Sequence, residues 1–290
     1  MRVAFLGLGL IGGSIARGLR SSRPGATIAA WTPSGAGPAA AADAGVVDAA
    51  APTAAEALKG ATVVVLAAPP SACLELVDAL AGPLRDHVDP AATVTDVAST
   101  RAAIVARADA AGLRFVGGHP MAGRELSGFG NADPDLFRDR PWIIVPGHNA
   151  RPEDRAAVED LAAACGAHPL SMTAADHDAA VAAISHLPLV VAAALVESVA
   201  GGDGPPRPGW AIAGPLAAGG WRGMTRLARG DVEMGAGIAA TSPGPIAAGI
   251  RELVAVLDAW LAELERPGGP DEAAIRGRLA AARRRLEEAG

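Results

Sequence analysis

Residues 2–13 read Arg2-Val3-Ala4-Phe5-Leu6-Gly7-Leu8-Gly9-Leu10-Ile11-Gly12-Gly13. The first five form a short apolar strand, and Ile11–Arg20 continues in helical period. Between them Gly7, Gly9 and Gly12 stand in G-x-G-x-x-G spacing around Leu8, Leu10 and Ile11. Such a pattern says little alone. Between a strand and a helix it specifies a turn that lets backbone approach a pyrophosphate, with the helix N-terminus offering free N–H groups and the positive end of its dipole. The stretch therefore predicts an α/β fold and a dinucleotide, NAD or NADP. An acid at the end of the second strand would favour NAD and an arginine NADP. Here the chain reads Trp31-Thr32-Pro33-Ser34, and Thr32 and Ser34 hydrogen-bond equally well to either form.

Outward from this turn the first half alternates. Strands are expected at Arg2–Leu6, Ala26–Trp31, Val46–Val47, Thr62–Ala67, Ala92–Asp96, Phe115–Val116, Trp142–Val145 and Pro169–Met172. Helices are expected at Gly35–Ala44, Ala54–Leu58, Ser71–Ala81, Ser99–Ala110 and Glu153–Cys165. Strand and helix in alternation predict a parallel sheet wrapped on both faces, a Rossmann-type domain over residues 1–172. Ala67-Ala68-Pro69, ending the most apolar strand, is expected to touch the cofactor, because α/β crevices bind there. Beyond residue 172 the pattern is helical: Thr173–Ala200, Trp210–Ala228, Asp231–Ala239, Pro245–Glu265 and Asp271–Ala289. Residues 173–290 are read as an all-helical substrate and dimerisation domain. The Ala179–Ala200 helix lacks a polar face, and a second subunit is its expected cover. The stripe Ile275, Leu279, Ala282 and Leu286 of the last helix docks on the body or on a partner.

Composition removes several function classes. The 290 residues are 50% hydrophobic and carry a net charge of −6, so a basic nucleic-acid-binding face is not expected. Aromatic residues make up 3%, with no Tyr, which supplies few stacking platforms for single strands. Cys73 and Cys165 form neither a metal-ligand spacing nor a disulfide framework, consistent with a cytoplasmic protein and no metal. The apolar run after Arg2 mimics a signal peptide, but its glycines and the lack of a small-residue cleavage site oppose that reading. Ser185, His186, Pro188 and Glu197 make Ala179–Ala200 a poor membrane span. Lys59 is the sole lysine, so any lysine-based mechanism must use it.

Four further segments carry polar residues that a core does not need: Asp96-Val97-Ala98-Ser99-Thr100-Arg101, Gly118–Gly128 (GHPMAGRELSG), Ser185-His186-Leu187-Pro188 and Gly220–Ala228 (GWRGMTRLA). With GLGLIGGS at the start and His177-Asp178 between, these motifs in this order resemble the prephenate/arogenate dehydrogenases of tyrosine biosynthesis, over about residues 1–265. The resemblance implies hydride transfer from a cyclohexadienol ring carbon to NAD(P)+ with loss of the ring carboxylate as CO2. It leaves no room for a mutase domain in front or a sizeable regulatory domain behind. By position, His119 matches the catalytic histidine, a proton acceptor suited to neutral pH. Ser99 matches the serine sharing the substrate hydroxyl, and is equally a candidate helix N-cap. Arg226 matches the arginine gripping a carboxylate, for which a guanidinium fork is suited.

Asp96 is read either as a carboxylate at the start of a helix or as a cofactor contact. His177 is structural or functional, and His186 sits in the SHLP break facing the substrate. Arg124 and Glu125 are candidates for the substrate side chain, Arg124 for its carboxylate and Glu125 for an ammonium. Three positions depart from the family's usual pattern: Leu189 replaces a histidine, Arg124 a Ser or Thr, and Gly223 an Asp. They bear on side-chain recognition and so on the choice between prephenate and arogenate. Two other readings compete. A β-hydroxyacid dehydrogenase of similar plan needs a mid-chain lysine, and a redox sensor without turnover has no use for Ser99, His119 and Arg226 together.

Overall fold

A computed structural model describes residues 1–124 and 126–289. Among the described residues one sheet forms from β1 (Arg2–Leu6), β2 (Thr27–Trp31), β3 (Ala49–Ala50), β4 (Val63–Leu66), β5 (Thr93–Asp96), β6 (Phe115–Pro120), β7 (Pro141–Pro146) and β8 (His168–Ser171), in the order β3-β2-β1-β4-β5-β6-β7-β8. β1 to β6 are parallel, with the chain reversing its direction of travel across the sheet between β1 and β4. That is the crevice where open α/β sheets bind dinucleotides. Helices α1 (Leu10–Ser22), α2 (Ala36–Asp43), α3 (Ala54–Leu58), α4 (Pro70–Ala81), α5 (Ala102–Ala110) and α6 (Pro152–Ala164) connect the strands. Two apolar clusters, one around Val3, Phe5 and Ile15 and one around Leu6, Val64 and Leu80, fill the space between strands and helices. Burying a side chain of this size contributes about 1.5–3 kcal/mol.

The sheet is not wholly parallel. β7 runs antiparallel to β6, with His119 opposite Ile143. A right-handed crossover needs a helix, and the described residues between 121 and 140 hold only a loop and a single 3-10 turn at Phe129–Asn131. The loop is tied back to α1. Asp133 N donates to buried Ser14 Oγ at 2.9 Å, and the Phe129 ring lies 4.5 Å beneath the Arg17 guanidinium. A short strand forms at Ala49–Ala50 rather than at Val46–Val47, whose side chains instead enter the core.

After β8 the chain is helical. α7 (Ala174–Val181), a π-helical turn (Ala182–His186) and α8 (Leu187–Val199) replace the single expected helix. Pro188 has no N–H to give to Ile184 O, and the wider turn absorbs the missing bond. The expected Trp210–Ala228 helix is broken into α9 (Trp210–Ala213), α10 (Gly219–Met224) and 3-10 turns at Gly214–Leu216 and Arg226–Arg229. Gly and Pro in this stretch disfavour continuous helix. In α11 (Val232–Thr241) the Asp231 side chain caps by accepting from Met234 N. α11 docks on the sheet layer: Thr241 Oγ1 bonds Thr100 Oγ1 at 2.8 Å, and a Cβ on Gly237 would lie 3.0 Å from Pro70.

The chain packs as two units, Met1–Pro245 and Ile246–Gly290. The second consists of most of α12 (Pro243–Leu264) and α13 (Glu272–Ala289). Within it Arg278 lies 4.1 Å over the Trp260 ring and donates to Ala259 O. Leu279, Ala282 and Leu286, three of the four residues of the expected docking stripe, are exposed.

Candidate active site

The glycine turn follows from close approach. Gly7 has φ +105°, and a Cβ there would lie 2.2 Å from Ala67 O. A Cβ on Gly12 would meet Ala67 Cβ at 2.8 Å and Gly7 O at 2.9 Å. These two glycines let β1, α1 and the end of β4 pack together. A Cβ on Gly9 would meet nothing within 4 Å, so its missing side chain leaves open space in front of the helix. Gly9 is also the N-cap of α1 and offers no side-chain acceptor, so the first-turn amides from Leu10 to Gly12 are left for another partner. An anionic diphosphate suits such a cradle. Leu8 and Leu10 are buried and Ile11 half-buried, so within this stretch backbone rather than side chains faces the ligand. Ala67, Ala68 and Pro69 are half-buried at the rim, immediately before α4.

At the end of β2, Thr32 Oγ1 accepts from Gly35 N at 3.1 Å and Ser34 Oγ accepts from Ala36 N at 3.4 Å. Both hydroxyls shape the turn into α2. No carboxylate or guanidinium lies between Trp31 and Ala42.

His119 stands on β6, which runs on to Pro120 instead of stopping at Val116, and is 8% exposed. Its Nδ1 is 2.8 Å from His177 Nε2 on α7. His177 is fully buried, and its Nδ1 is 2.8 Å from Asp178 Oδ1. Asp178 in turn accepts from Arg101 N at 2.7 Å and Ala102 N at 2.9 Å, the first amides of α5. Burial raises the Asp178 carboxyl, but the hydrogen bonds from His177, Ala102 and Arg101 outweigh it and hold the group below the usual carboxylate range. Burial pushes His119 well below the ordinary histidine value, and the Arg101 guanidinium nearby acts in the same direction. The imidazole is therefore neutral at pH 7 and can take up a proton.

Asp96 does not turn toward the cofactor. Its carboxylate is fully buried, binds the Arg101 guanidinium through both oxygens and accepts from Ala98 N and Gly118 N. Both oxygens are thus occupied inside the protein, which corrects the expectation of a cofactor contact. Ser99 is not the N-cap of the following helix. α5 begins at Ala102, and Asp178 supplies the acceptor that a local cap would have given. Ser99 is left half-buried beside the site.

The remaining candidates divide. Arg124 pairs with Asp133 at 2.6 Å, so it clamps its own loop instead of reaching for a carboxylate. Glu125 lies outside the described residues. Arg226 is exposed at the start of the Arg226–Arg229 turn, which packs on α8. His186 ends the π-helical turn, is 1% exposed, and has no partner for either ring nitrogen among the described residues. Burial pushes its pKa down to about 4, against the pull of Asp178 and with the help of His177. Leu189 lines an apolar cavity of about 280 Å³ with Leu227, Ala228 and Val232. Asp178 and Arg101 stand in the motifs His177-Asp178 and Asp96–Arg101 quoted above, but the sequence assigned neither a role.

Comparison with known proteins agrees with this geometry. The family model described as the prephenate dehydrogenase nucleotide-binding domain matches residues 15–170, and that of the prephenate dehydrogenase dimerization domain matches residues 173–268. A prephenate dehydrogenase of Bacillus subtilis (strain 168) is 33% identical over 235 residues, 80% of this chain and 62% of its own. One of Lactococcus lactis is 30% identical over 251 residues, 83% of this chain and 65% of its own. This chain thus spans less than two thirds of the length of either relative. Among solved structures, Synechocystis arogenate dehydrogenase superposes with a TM-score of 0.77 at 30% identity, covering 99% of this chain and 100% of that one. A prephenate dehydrogenase from A. aeolicus, solved in complex with hydroxyphenyl propionate and NAD+, gives 0.86 at 26% identity, covering 99% and 98%. By two consecutive domain matches and an overlap of four fifths with a relative one third identical, this chain belongs to the prephenate dehydrogenase family.

Proposed function

We propose that this chain oxidatively decarboxylates prephenate, arogenate or both, with hydride transfer to NAD+ or NADP+, as a step of tyrosine biosynthesis. The observation that carries this reading is His119: a buried, neutral imidazole held at one ring nitrogen and unengaged at the other, on the strand two places from the dinucleotide crevice. The glycine turn from Gly7 to Gly12, with Thr32, Ser34, Ala67, Ala68 and Pro69 around it, holds the cofactor. The bound nicotinamide supplies the hydride acceptor. His119 Nε2 accepts the proton of the substrate C4 hydroxyl as the C4 hydride leaves. The bond from ring carbon to carboxylate then breaks, its electron pair closes the aromatic ring, and the proton on His119 returns to the phenolate oxygen. No net proton is lost, so a base shielded from water suits the task.

Ser99 shares the substrate hydroxyl with His119, and Arg226 grips a substrate carboxylate. The unpartnered His186 ring gives a hydrogen bond to the substrate. A buried polar group without a protein partner calls for an explanation, and a substrate contact supplies one. Glu125 is assigned to the side chain of the substrate. Residues 1–172 serve the cofactor and residues 173–290 the substrate and the dimer. A homodimer is supported by the dimerization-domain match and by Ile184, Ile212, Leu216 and Val232, all more than two thirds exposed. The segment Ala174–Val199 is long and apolar enough to cross a bilayer. Because His177 and Asp178 within it bind β6 and α5, we assign it to the protein interior and the subunit interface, in a cytoplasmic enzyme.

The β-hydroxyacid alternative is disfavoured because Lys59 is 68% exposed beside Glu56 at the end of α3. The test is reduction of NAD+ and NADP+ followed at 340 nm with each of the two substrates. His119→Asn is expected to lower kcat by about 10²–10⁴-fold while dinucleotide binding persists. A variant of near-normal kcat overturns the assignment of the base.

A further inference from the structure

The contacts of His119 determine more than its place. Asp178 is ionised, so its oxygens only accept, and His177 Nδ1 must carry the proton that bridges them at 2.8 Å. With that single ring proton, His177 presents a bare Nε2. The 2.8 Å contact to His119 requires one proton between the rings, and His119 Nδ1 is the only donor left. His119 Nε2 is consequently bare. The alternative tautomer of His119 would oppose two lone pairs in a buried site, where an unmade hydrogen bond costs about 1–3 kcal/mol.

We propose that His177 and Asp178 are positioning residues that set the tautomer of His119, so that it accepts the substrate proton at Nε2 and shares the resulting positive charge through His177 with Asp178. Neither touches the reacting atoms; this role rests on the reading of His119 as the base. The relay is anchored at its far end on the helix α5 amides of Arg101 and Ala102, which fix the Asp178 carboxylate from two directions. The line is shielded from solvent, since His177 is fully buried and Asp178 is 3% exposed. The charged and titratable groups around His119 are Arg101 at the start of α5 with its partner Asp96 on β5, His177 and Asp178 on α7, and His186 on the π-helical turn. Of these, only Asp178 offers a negative charge along the hydrogen-bonded line.

Two variants and one spectrum test this. His177→Leu removes the acceptor for His119 Nδ1–H, and His177→Gln restores one, because the Gln carbonyl oxygen can occupy the place of the ring Nε2. The Leu variant is expected to lose about 100-fold in kcat, within the range for disabling or misorienting a histidine base. Its substrate KM and its Kd for NAD+, measured by calorimetry, stay within about twofold by the same argument, since neither group binds ligand. The Gln variant recovers at least tenfold over Leu. Nitrogen-15 NMR of the whole wild-type protein shows His119 with a protonated Nδ1 and an imine-type Nε2.

A wild-type spectrum with the proton on His119 Nε2 overturns the relay. So does a Leu variant within twofold of wild-type kcat, or a Gln variant no better than Leu. If the Leu variant does not fold, the Gln variant against wild type and the wild-type spectrum decide. A wild type that turns over neither substrate, yet shows the expected tautomer, refutes the proposed function and leaves only the setting of the His119 tautomer standing.

Discussion

The three glycines of the first turn differ in what surrounds their missing side chains, and alanine substitution separates packing from ligand binding. In Gly7→Ala the new Cβ falls 2.2 Å from Ala67 O and 2.6 Å from Ala67 C, both backbone atoms. Ala67 cannot yield readily, because its N–H is bonded to Leu6 O at 2.9 Å at the end of the β1–β4 ladder. The backbone at residue 7 also has φ +105°. A left-handed conformation at a non-glycine residue costs about 1–3 kcal/mol, and overpacking a tight site costs about 1–3 kcal/mol more. Gly7→Ala should therefore lose about 2–6 kcal/mol of stability. In Gly9→Ala the Cβ meets nothing within 4 Å and φ is −87°. Its stability should lie within about 0.5 kcal/mol of wild type. The methyl group does enter the space assigned to the pyrophosphate, so affinity for NAD+ and NADP+ should fall by about tenfold or more, roughly 1.4 kcal/mol. Thermal unfolding followed by circular dichroism reads the first quantity and titration calorimetry the second. Unchanged dinucleotide affinity in Gly9→Ala, with the protein folded, would refute the placement of the diphosphate. Equal destabilisation by the two substitutions would refute the packing argument.

What was legible in the sequence was local. The glycine turn needs only its own residues, and the apolar strands β1 and β4 announce themselves by composition. Three features were not legible because their causes lie far along the chain. The start of α5 was misplaced at Ser99 because its cap is Asp178, 76 residues away from Ala102. Asp96 stays open in the sequence between a helix-entry carboxylate and a cofactor contact, because an aspartate at the end of a strand resembles a ligand until its partner is known. Arg101 is that partner and sits in the same motif, but no spacing rule identifies a fully buried bidentate pair. The reversal of β7 depends on an absence, a crossover helix missing among the described residues between 121 and 140. The π-helical turn had a visible cause in Pro188. A proline also ends or kinks helices, and the sequence does not choose between these outcomes.

Three further outcomes are expected. Asp154→Asn should destabilise the protein by about 3 kcal/mol with kcat unchanged. Buried Asp154 holds Arg114, Thr93 Oγ1 and Arg151 N at 2.6–3.0 Å on a part of the sheet away from His119, and stranding one member of such a network is costly. Arogenate should be used at least comparably to prephenate. Leu189→His, beside Leu227 and Ala228 in the cavity next to the Arg226 turn, should raise the kcat/KM ratio for prephenate over arogenate by about tenfold, the worth of one hydrogen bond. A hundredfold wild-type preference for prephenate would sink that argument. The last expectation is acid sensitivity centred on His186. Its pKa is 6.5 in the unfolded chain and about 4 in the fold, lowered chiefly by burial. Between these values the unfolded state binds a proton that the native state does not, so stability is full above pH 6.5 and falls as the pH drops toward 4. The loss approaches about 3 kcal/mol at the lower end. His119, lowered in the same direction, adds to the same slope. His186→Phe fills the site without a titrating group. Its urea midpoint should consequently change less between pH 7 and pH 4.5 than that of wild type. An equal change in both proteins would show that His186 is not a source of the acid sensitivity.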